Sequence, residues 1–468
     1  MSSQEEDSQQ DQPSSRSPNA NFTDGTEEPE RAILCSVQLS DVDETAFEES
    51  LGELRRLAHT LGLKVAGRVT QRRGSFESSS YIGPGKLEEL ATMVKAVPEP
   101  TIVLLDHEVT PSQARTIKEA TGAHTVLDRT ALILEIFHRH ARSRQAKAQV
   151  ELVRLQYMAP RLRENQKGGD RQRGGIGGKG AGESALELDR RKLRDRISEL
   201  RDEIEALQTE HKTRSSRRQG LRRVALCGYT NAGKSTLFHA LTHSDVYIAD
   251  KLFATLDTTV RALAPEPRQR ILVSDTIGFI RHLPTKLVAS FKTTLDEALE
   301  AGLILHVIDA ADPACLRHIE TTNSVLAEIG AGSVPQIYVF NKIDKLPEGA
   351  LSSEVTSFVA QLDSSAAPRH LYASAKDPAD VVRIRQAIID FFDRALVDAE
   401  LFVPYDRQQL RGAIFAVAEV LGETFDEQGA TFKVRIDEVD LKKLARDMQV
   451  RVITTDSTEH PTDPTKTV

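Results

Sequence analysis

The chain has 468 residues, 39% of them apolar, and a formal charge of −8, which suits a protein of about three domains with cores of their own. It holds no apolar run long enough to span a bilayer, and residues 1–30 have no apolar stretch of the signal-peptide kind, so neither anchor nor leader is expected. Cys35, Cys227 and Cys315 lie far apart without metal-ligand spacing and read as reduced core residues of a cytosolic protein.

Residues 1–30, rich in Ser, Gln and acids, are expected to be disordered, as is the tail 454–468. Between 31 and 130, RAILCSVQL, KVAGRVTQ, TIVLLD and HTVLD read as strands. ETAFEESLGELRRLAHTLG, GKLEELATMVKAV and PSQARTIKEATG carry helical periodicity between them. That alternation predicts an N-terminal α/β domain with a parallel sheet. GPGK, at Gly83 to Lys86, lacks the full pattern of a phosphate loop and reads more simply as a turn before a helix.

Residues 131–215 are expected to form a helical hairpin. The chain from Thr130 to about Met158 reads as one helix, because neither Gly nor Pro intervenes before Pro160. Leu186, Leu193, Ile197, Leu200, Ile204 and Leu207 then form an a/d seam. Between the two helices lies GGDRQRGGIGGKGAGES, residues 168–184, which cannot pack a core. Residues 141–223 hold 22 Lys and Arg against 12 Asp and Glu, so an acidic chain gathers its basic charge around this loop. A solvated helix face is the plain reading of a charge run. At the tip of a projecting hairpin this loop, with Arg171, Arg173 and Lys179, is a candidate contact element instead. His138 and His140 are two residues apart and face different sides of a helix, so no metal site is expected there.

Residues 216–398 alternate strand and helix and carry four ordered motifs. Gly228 to Ser235, GYTNAGKS, follows an apolar strand and opens a helix, the context a phosphate-binding loop requires. Its backbone N–H groups can curl around a β-phosphate, Lys234 can meet β- and γ-phosphate oxygens, and Ser235 can ligate Mg²⁺. Tyr229, Thr230, Asn231, Ala232, Gly233 and Thr236 complete that set. DTIGF puts Asp275 at a strand end, within reach of the metal through water, with Thr276, Ile277 and Gly278 after it and the Gly278 N–H available to a γ-phosphate. DKLFATLDTT suits a switch segment: Phe253, Ala254 and Thr255 are the candidates, Thr255 completing the Mg²⁺ shell and Thr258 standing as its rival. In NKID, Asp344 can accept from the two donors guanine offers and adenine does not, braced by Asn341 and the Lys342 stem. Ser374, Ala375 and Lys376 can meet the guanine carbonyl. The ligand is therefore expected to be GTP, or GDP, with Lys234, Gly278 and Thr255 as the catalytic group. Residues 399–453 read as a small C-terminal α+β domain in which DEQG joins two strands.

GYTNAGKS, DTIGF, NKID and SAK resemble the translation-factor-related GTPases. YIGPGKLEEL, the run from Asp106 to Leu162 and GGIGGKGAGESALELDRR narrow the resemblance to the HflX family over roughly residues 32–450. Lys179 and Ala181 stand where Arg and Pro are more usual. The resemblance implies a cytoplasmic, monomeric GTPase that binds the large (50S) ribosomal subunit, splits stalled or idle ribosomes, and associates only peripherally with membranes; it makes Arg171, Arg173 and Lys179 candidates for rRNA contact, against a flexible connector. It also keeps ATP binding by the N-terminal domain open. A GTP-gated regulator and an assembly or hibernation factor indifferent to hydrolysis are the alternatives. Phe279 stands where Ras-type GTPases carry a water-orienting Gln, so slow intrinsic turnover is expected, with a partner or K⁺ supplying what is missing. Asn231 is the candidate K⁺ ligand, against plain loop geometry.

Overall fold

The computed structural model describes residues 30–97, 100–165, 185–216, 222–244, 252–253, 255–267, 269–281, 292–346, 353–362, 369–394, 396–407, 409–447 and 451–456. Its contacts divide the chain into two compact units that meet between Arg129 and Thr130.

The first unit alternates strand and helix as expected: β1 (Arg31–Leu39), α1 (Glu44–Thr60), β2 (Lys64–Arg73), α2 (Pro84–Ala96), β3 (Thr101–Leu105), α3 (Pro111–Thr121) and β4 (Thr125–Asp128). The strands pair in the order β2-β1-β3-β4, all parallel. β1 carries the continuous apolar run of Ala32, Ile33, Leu34 and Cys35, fully buried, as suits a parallel sheet whose two faces are covered by helices. The helix starts are specified locally. The Asp43 carboxylate accepts the Ala46 N–H at 2.7 Å, Thr110 and Gln113 form a reciprocal capping box, and Gly83 is the N-cap of α2, so GPGK, read as a turn before the helix, is its cap and first turn. At the carboxyl end of the sheet the buried Asp106 accepts from the Ser36 and Ser50 hydroxyls and from Arg129 at 2.8 Å, while Arg129 also pairs with Glu53.

α4 (Arg129–His140) carries the chain into the second unit, where α5 (Arg144–Asn165) and α6 (Ala185–Ser216) follow. One continuous helix was the expectation from Thr130 to Met158, and it is broken at residues 141–143 without Gly or Pro. Ser143 caps α5 by accepting the Ala146 N–H at 3.0 Å. The freed Arg142 and Ser143 N–H groups go to the Asp257 carboxylate at 3.1 and 3.0 Å. The helix end is thus set by a distant acceptor that satisfies the orphan donors. Pro160, conversely, lies inside α5.

Arg144 pairs with Glu203 and Arg196 with Glu151. Partners that run in opposite directions make α5 and α6 an antiparallel hairpin. Leu200 and Ile204 of the a/d seam are buried against Ala148 and Leu152, with Ile197 and Leu155 beside them. The glycine-rich loop, with Arg171, Arg173 and Lys179, lies outside the described residues.

The central sheet contains β5 (Arg222–Cys227), β6 (Thr259–Ala262), β7 (Ile271–Asp275), β8 (Leu303–Asp309), β9 (Gln336–Asn341) and β10 (His370–Tyr372), in the order β10-β9-β8-β5-β7-β6. Only β6 runs antiparallel to its neighbour. Helices α7 (Lys234–Thr242), α8 (Lys292–Leu299), α9 (Cys315–Glu328), α10 (Ser353–Leu362) and α11 (Pro378–Asp393) accompany it. The last part is an antiparallel sheet of β11 (Leu396–Pro404), β12 (Glu419–Phe425), β13 (Gly429–Asp437) and β14 (Arg451–Asp456), with α12 (Gln409–Val417) and α13 (Glu438–Asp447). Its DEQG turn is held by the Asp426 carboxylate, which accepts the Gln428 and Gly429 N–H groups at 2.7 and 2.8 Å. The three cysteines are buried free thiols. Among the described residues no helix is long and apolar enough to cross a membrane.

Candidate functional site

The motifs converge at the carboxyl ends of β5, β7, β8 and β9, where an open parallel sheet places its ligand crevice. The loop from β5 to α7 turns through Asn231 at φ +61° and Gly233 at φ +99°. A Cβ on Gly233 would lie 2.2 Å from Asn341 Nδ2, so only glycine fits. Asn341 crosses from β9 to brace the loop: its Nδ2 donates to the Ala232 carbonyl at 2.8 Å, and its Oδ1 accepts the Ala375 N–H at 2.9 Å. Lys342 Nζ donates to the Asn231 carbonyl and to Asp309, both at 2.7 Å. The base-reading motif and the phosphate loop are therefore one hydrogen-bonded unit.

Lys234 is buried, with Nζ donating to the Gly228 and Tyr229 carbonyls at 3.0 and 2.8 Å. Burial pushes its ammonium down to about 8, opposed by the nearby Asp275. Asp275 is itself raised above the usual carboxylate range by burial, which Lys234 and the hydroxyls of Ser235 and Thr255 partly offset. Ser235 Oγ lies 2.7 Å from Thr255 Oγ1 and donates to Asp275 Oδ2 at 2.8 Å. Asp275 Oδ1 is buried without a hydrogen-bond partner. Two hydroxyls and a buried carboxylate with a spare oxygen form an all-oxygen donor set that fits a small hard cation such as Mg²⁺. Of the two candidate threonines it is Thr255 that is brought to this cluster; Ala254 lies outside the described residues.

Switch II is clipped to the phosphate loop. The Thr230 N–H donates to the Phe279 carbonyl at 2.8 Å and the Phe279 N–H to the Gly228 carbonyl at 3.1 Å. Gly278 lies so close to Thr230 that a Cβ would meet its Cα at 2.9 Å and Lys234 Nζ at 3.0 Å. The Phe279 side chain packs in the core with Ala225, Cys227 and Ala298. Thr276 points inward, donating to the Leu226 carbonyl at 2.6 Å, and Ile277 is buried. Thr236 lies within α7. On the base side, Asp344 is exposed and a hydrogen bond from Ser374 holds its carboxyl below the usual range. The Ser374 N–H is fixed by Asp380 at 2.7 Å, and the Lys376 N–H meets Ser374 Oγ at 3.4 Å.

Sequence reasoning missed three partners. Asp309 pairs with Lys342 from the end of β8. The Tyr229 ring stacks on His318 of α9 at 3.7 Å, and its hydroxyl accepts the Arg281 N–H at 2.9 Å, so it joins the phosphate loop to switch II. Asp257 ties the switch I segment to the α4–α5 corner. No spacing rule links these residues; an Asp ending a strand was the one available signal, and it applies to Asp309 alone.

Three family models match the chain: GTP-binding GTPase N-terminal over residues 48–138, GTP-binding GTPase Middle Region over 140–218, and 50S ribosome-binding GTPase over 223–342. A GTPase HflX of Gluconacetobacter diazotrophicus is 47% identical, covering 90% of this chain and 98% of that protein. The chain belongs to the HflX family. The GTPase HflX of Escherichia coli, 37% identical, covers 89% of this chain and 96% of its own length. A solved structure described as the SsGBP and GDP complex is 24% identical, covers 77% of this chain and 98% of that one, and has a TM-score of 0.47. As an HflX protein, the chain is a GTPase.

Proposed function

We propose that this HflX protein binds the large ribosomal subunit in its GTP state and splits stalled or idle ribosomes, hydrolysing GTP to reset itself. The observation that carries the reading is the match of the GTPase core to a family described as 50S ribosome-binding, within a chain that resembles GTPase HflX proteins along nearly all of its length. Ser235 and Thr255 would hold Mg²⁺ directly and Asp275 through water. Lys234 and the Gly278 N–H would meet the γ-phosphate oxygens as charge moves onto them. Asp344, Asn341, Lys342, Ser374, Ala375 and Lys376 would select guanine. Mg²⁺ held by these residues would supply charge neutralisation to the phosphates. The Asn231 side chain is the proposed K⁺ ligand, and equal hydrolysis rates in KCl and NaCl would remove that role.

With Phe279 in the core, no side chain at the position after the switch-II glycine orients water, so a ribosomal partner is expected to supply the missing rate. Arg171, Arg173 and Lys179 are proposed to contact rRNA from the hairpin tip. The test is steady-state GTP hydrolysis with and without isolated large subunits, alongside a variant in which these three become Ala. Stimulation lost in the variant supports the reading. Absent stimulation at a normal basal rate rejects the subunit as the activating partner.

A further inference from the structure

The α4–α5 corner lies far in sequence from the GTP motifs, yet it grips the switch I segment on both sides of Thr255. On the amino-terminal side, Phe253 is buried at φ +56°, a conformation a bulky side chain rarely adopts. Its ring meets Phe137 edge-to-face at 4.6 Å, and its carbonyl accepts from His140 Nδ1 at 2.7 Å. On the carboxyl-terminal side, Asp257 accepts the Arg142 and Ser143 N–H groups at 3.1 and 3.0 Å, and the Ser143 hydroxyl as well. Thr255, between these anchors, points its hydroxyl to Ser235 at 2.7 Å. Because Asp257 completes the cap of α5, the same contacts that hold Thr255 also define where the hairpin helix begins.

We propose that the α4–α5 corner is a positioning element of the GTP site: Phe137, His140 and Ser143 hold Thr255 at the metal through Phe253 and Asp257, and nucleotide state reaches the hairpin by the same contacts. This rests on the reading of Thr255 as a Mg²⁺ ligand. A switch segment set by a neighbouring element need not reorganise as the γ-phosphate and its metal bind. By thermodynamic linkage, whatever the corner contributes to the GTP state, the GTP state returns to the corner. Asp257 and Ser143 are bonded to each other and to the start of α5 and belong to none of the nucleotide motifs, so their effect on the site runs through Thr255.

The test uses the full chain with Asp257→Ala, Ser143→Ala, the double variant, and Thr255→Ala as reference. Single-turnover GTP hydrolysis, the Mg²⁺ midpoint for that reaction and GDP affinity are measured together. Asp257→Ala should slow hydrolysis about tenfold and raise the Mg²⁺ midpoint several-fold, a loss of geometry rather than of a reacting group. GDP affinity should stay within about twofold, because a site without a γ-phosphate does not recruit the switch threonine. The double variant should be hardly slower than Asp257→Ala, since the Ser143 hydroxyl reaches switch I through Asp257 and its cap on the Ala146 N–H lies on the helix side. In hydrogen exchange, the Arg142 and Ser143 amides of the unaltered protein should be better protected with a non-hydrolysable GTP analogue than with GDP, a difference that Asp257→Ala abolishes. Unchanged hydrolysis and Mg²⁺ midpoint in Asp257→Ala, with Thr255→Ala inactive, would overturn the proposal. Thr255→Ala with an unaltered rate and midpoint would instead overturn the metal-ligand reading on which it stands.

Discussion

At the scale of single residues, the site shows why neighbouring groups in the phosphate loop have separable roles. The Tyr229 hydroxyl accepts the Arg281 N–H, whereas its ring stacks on His318. Tyr229→Phe removes only the first contact. A hydrogen bond of this kind is worth about 1 kcal/mol, so hydrolysis should fall roughly fivefold with GDP affinity retained. Tyr229→Ala should lose considerably more, and single-turnover rates for the pair measure the difference. His306, buried in β8 beside Tyr338, makes a different prediction. Burial pushes its imidazole from 6.5 down to about 3, and its Nδ1 has no hydrogen-bond partner. The unfolded chain takes a proton there near pH 6.5, while the folded one stays neutral until about pH 3. Stability from this group is therefore full above pH 6.5 and is lost as the pH falls below it. Between pH 7 and pH 5 the loss is about 2 kcal/mol. Denaturant unfolding of His306→Leu at both pH values should show a pH dependence smaller by that amount. An identical dependence would mean that the imidazole is solvated in the folded chain.

At the scale of elements, the hairpin tests whether the seam read from spacing carries energy. Leu200 is almost completely buried against Ala148 and Leu152, and nearly all the ion pairs around it are exposed. Exposed pairs contribute about 0–1 kcal/mol each, whereas truncating a buried Leu costs about 2–5 kcal/mol. Leu200→Ala should accordingly speed hydrogen exchange along α5 and α6 while leaving β5 and β8 protected, and Arg196→Ala should do neither. The seam was legible because a heptad repeats within one segment. The parallel sheets were legible for a related reason: the buried strands are largely apolar runs, as in TIVLL and, around His306, LILHVID. The break between α4 and α5 was not. Helix ends usually announce themselves through Gly or Pro; here the one local signal is the Ser143 cap, and the acceptor for two freed amides is Asp257, more than a hundred residues away. Phosphate-loop and guanine motifs could be read because their chemistry demands contiguous residues. Tyr229 with His318, and Asp309 with Lys342, are pairings of residues that only the folded sheet brings together.

At the scale of the whole molecule, GTP hydrolysis and the hairpin can be connected only through free energy shared between sites. If a GTP analogue tightens binding to the large subunit by some factor over GDP, the subunit must tighten analogue binding over GDP by the same factor. The informative quantity is which residues set that factor. Substitution of Arg171, Arg173 and Lys179 should weaken subunit binding in both nucleotide states and reduce its salt dependence, because phosphate contacts release counterions whatever the state of the switches. Asp257→Ala should behave otherwise. It leaves the basic loop intact, so affinity measured with GDP should hardly change, and it cuts the contact between switch I and the start of α5, so the advantage of the analogue should shrink toward unity. Sedimentation of both variants with large subunits, in GDP and in the analogue, separates a charge that binds from a contact that couples. If Asp257→Ala kept the full advantage, the nucleotide state would have to reach the ribosome through switch II and the surfaces around α9.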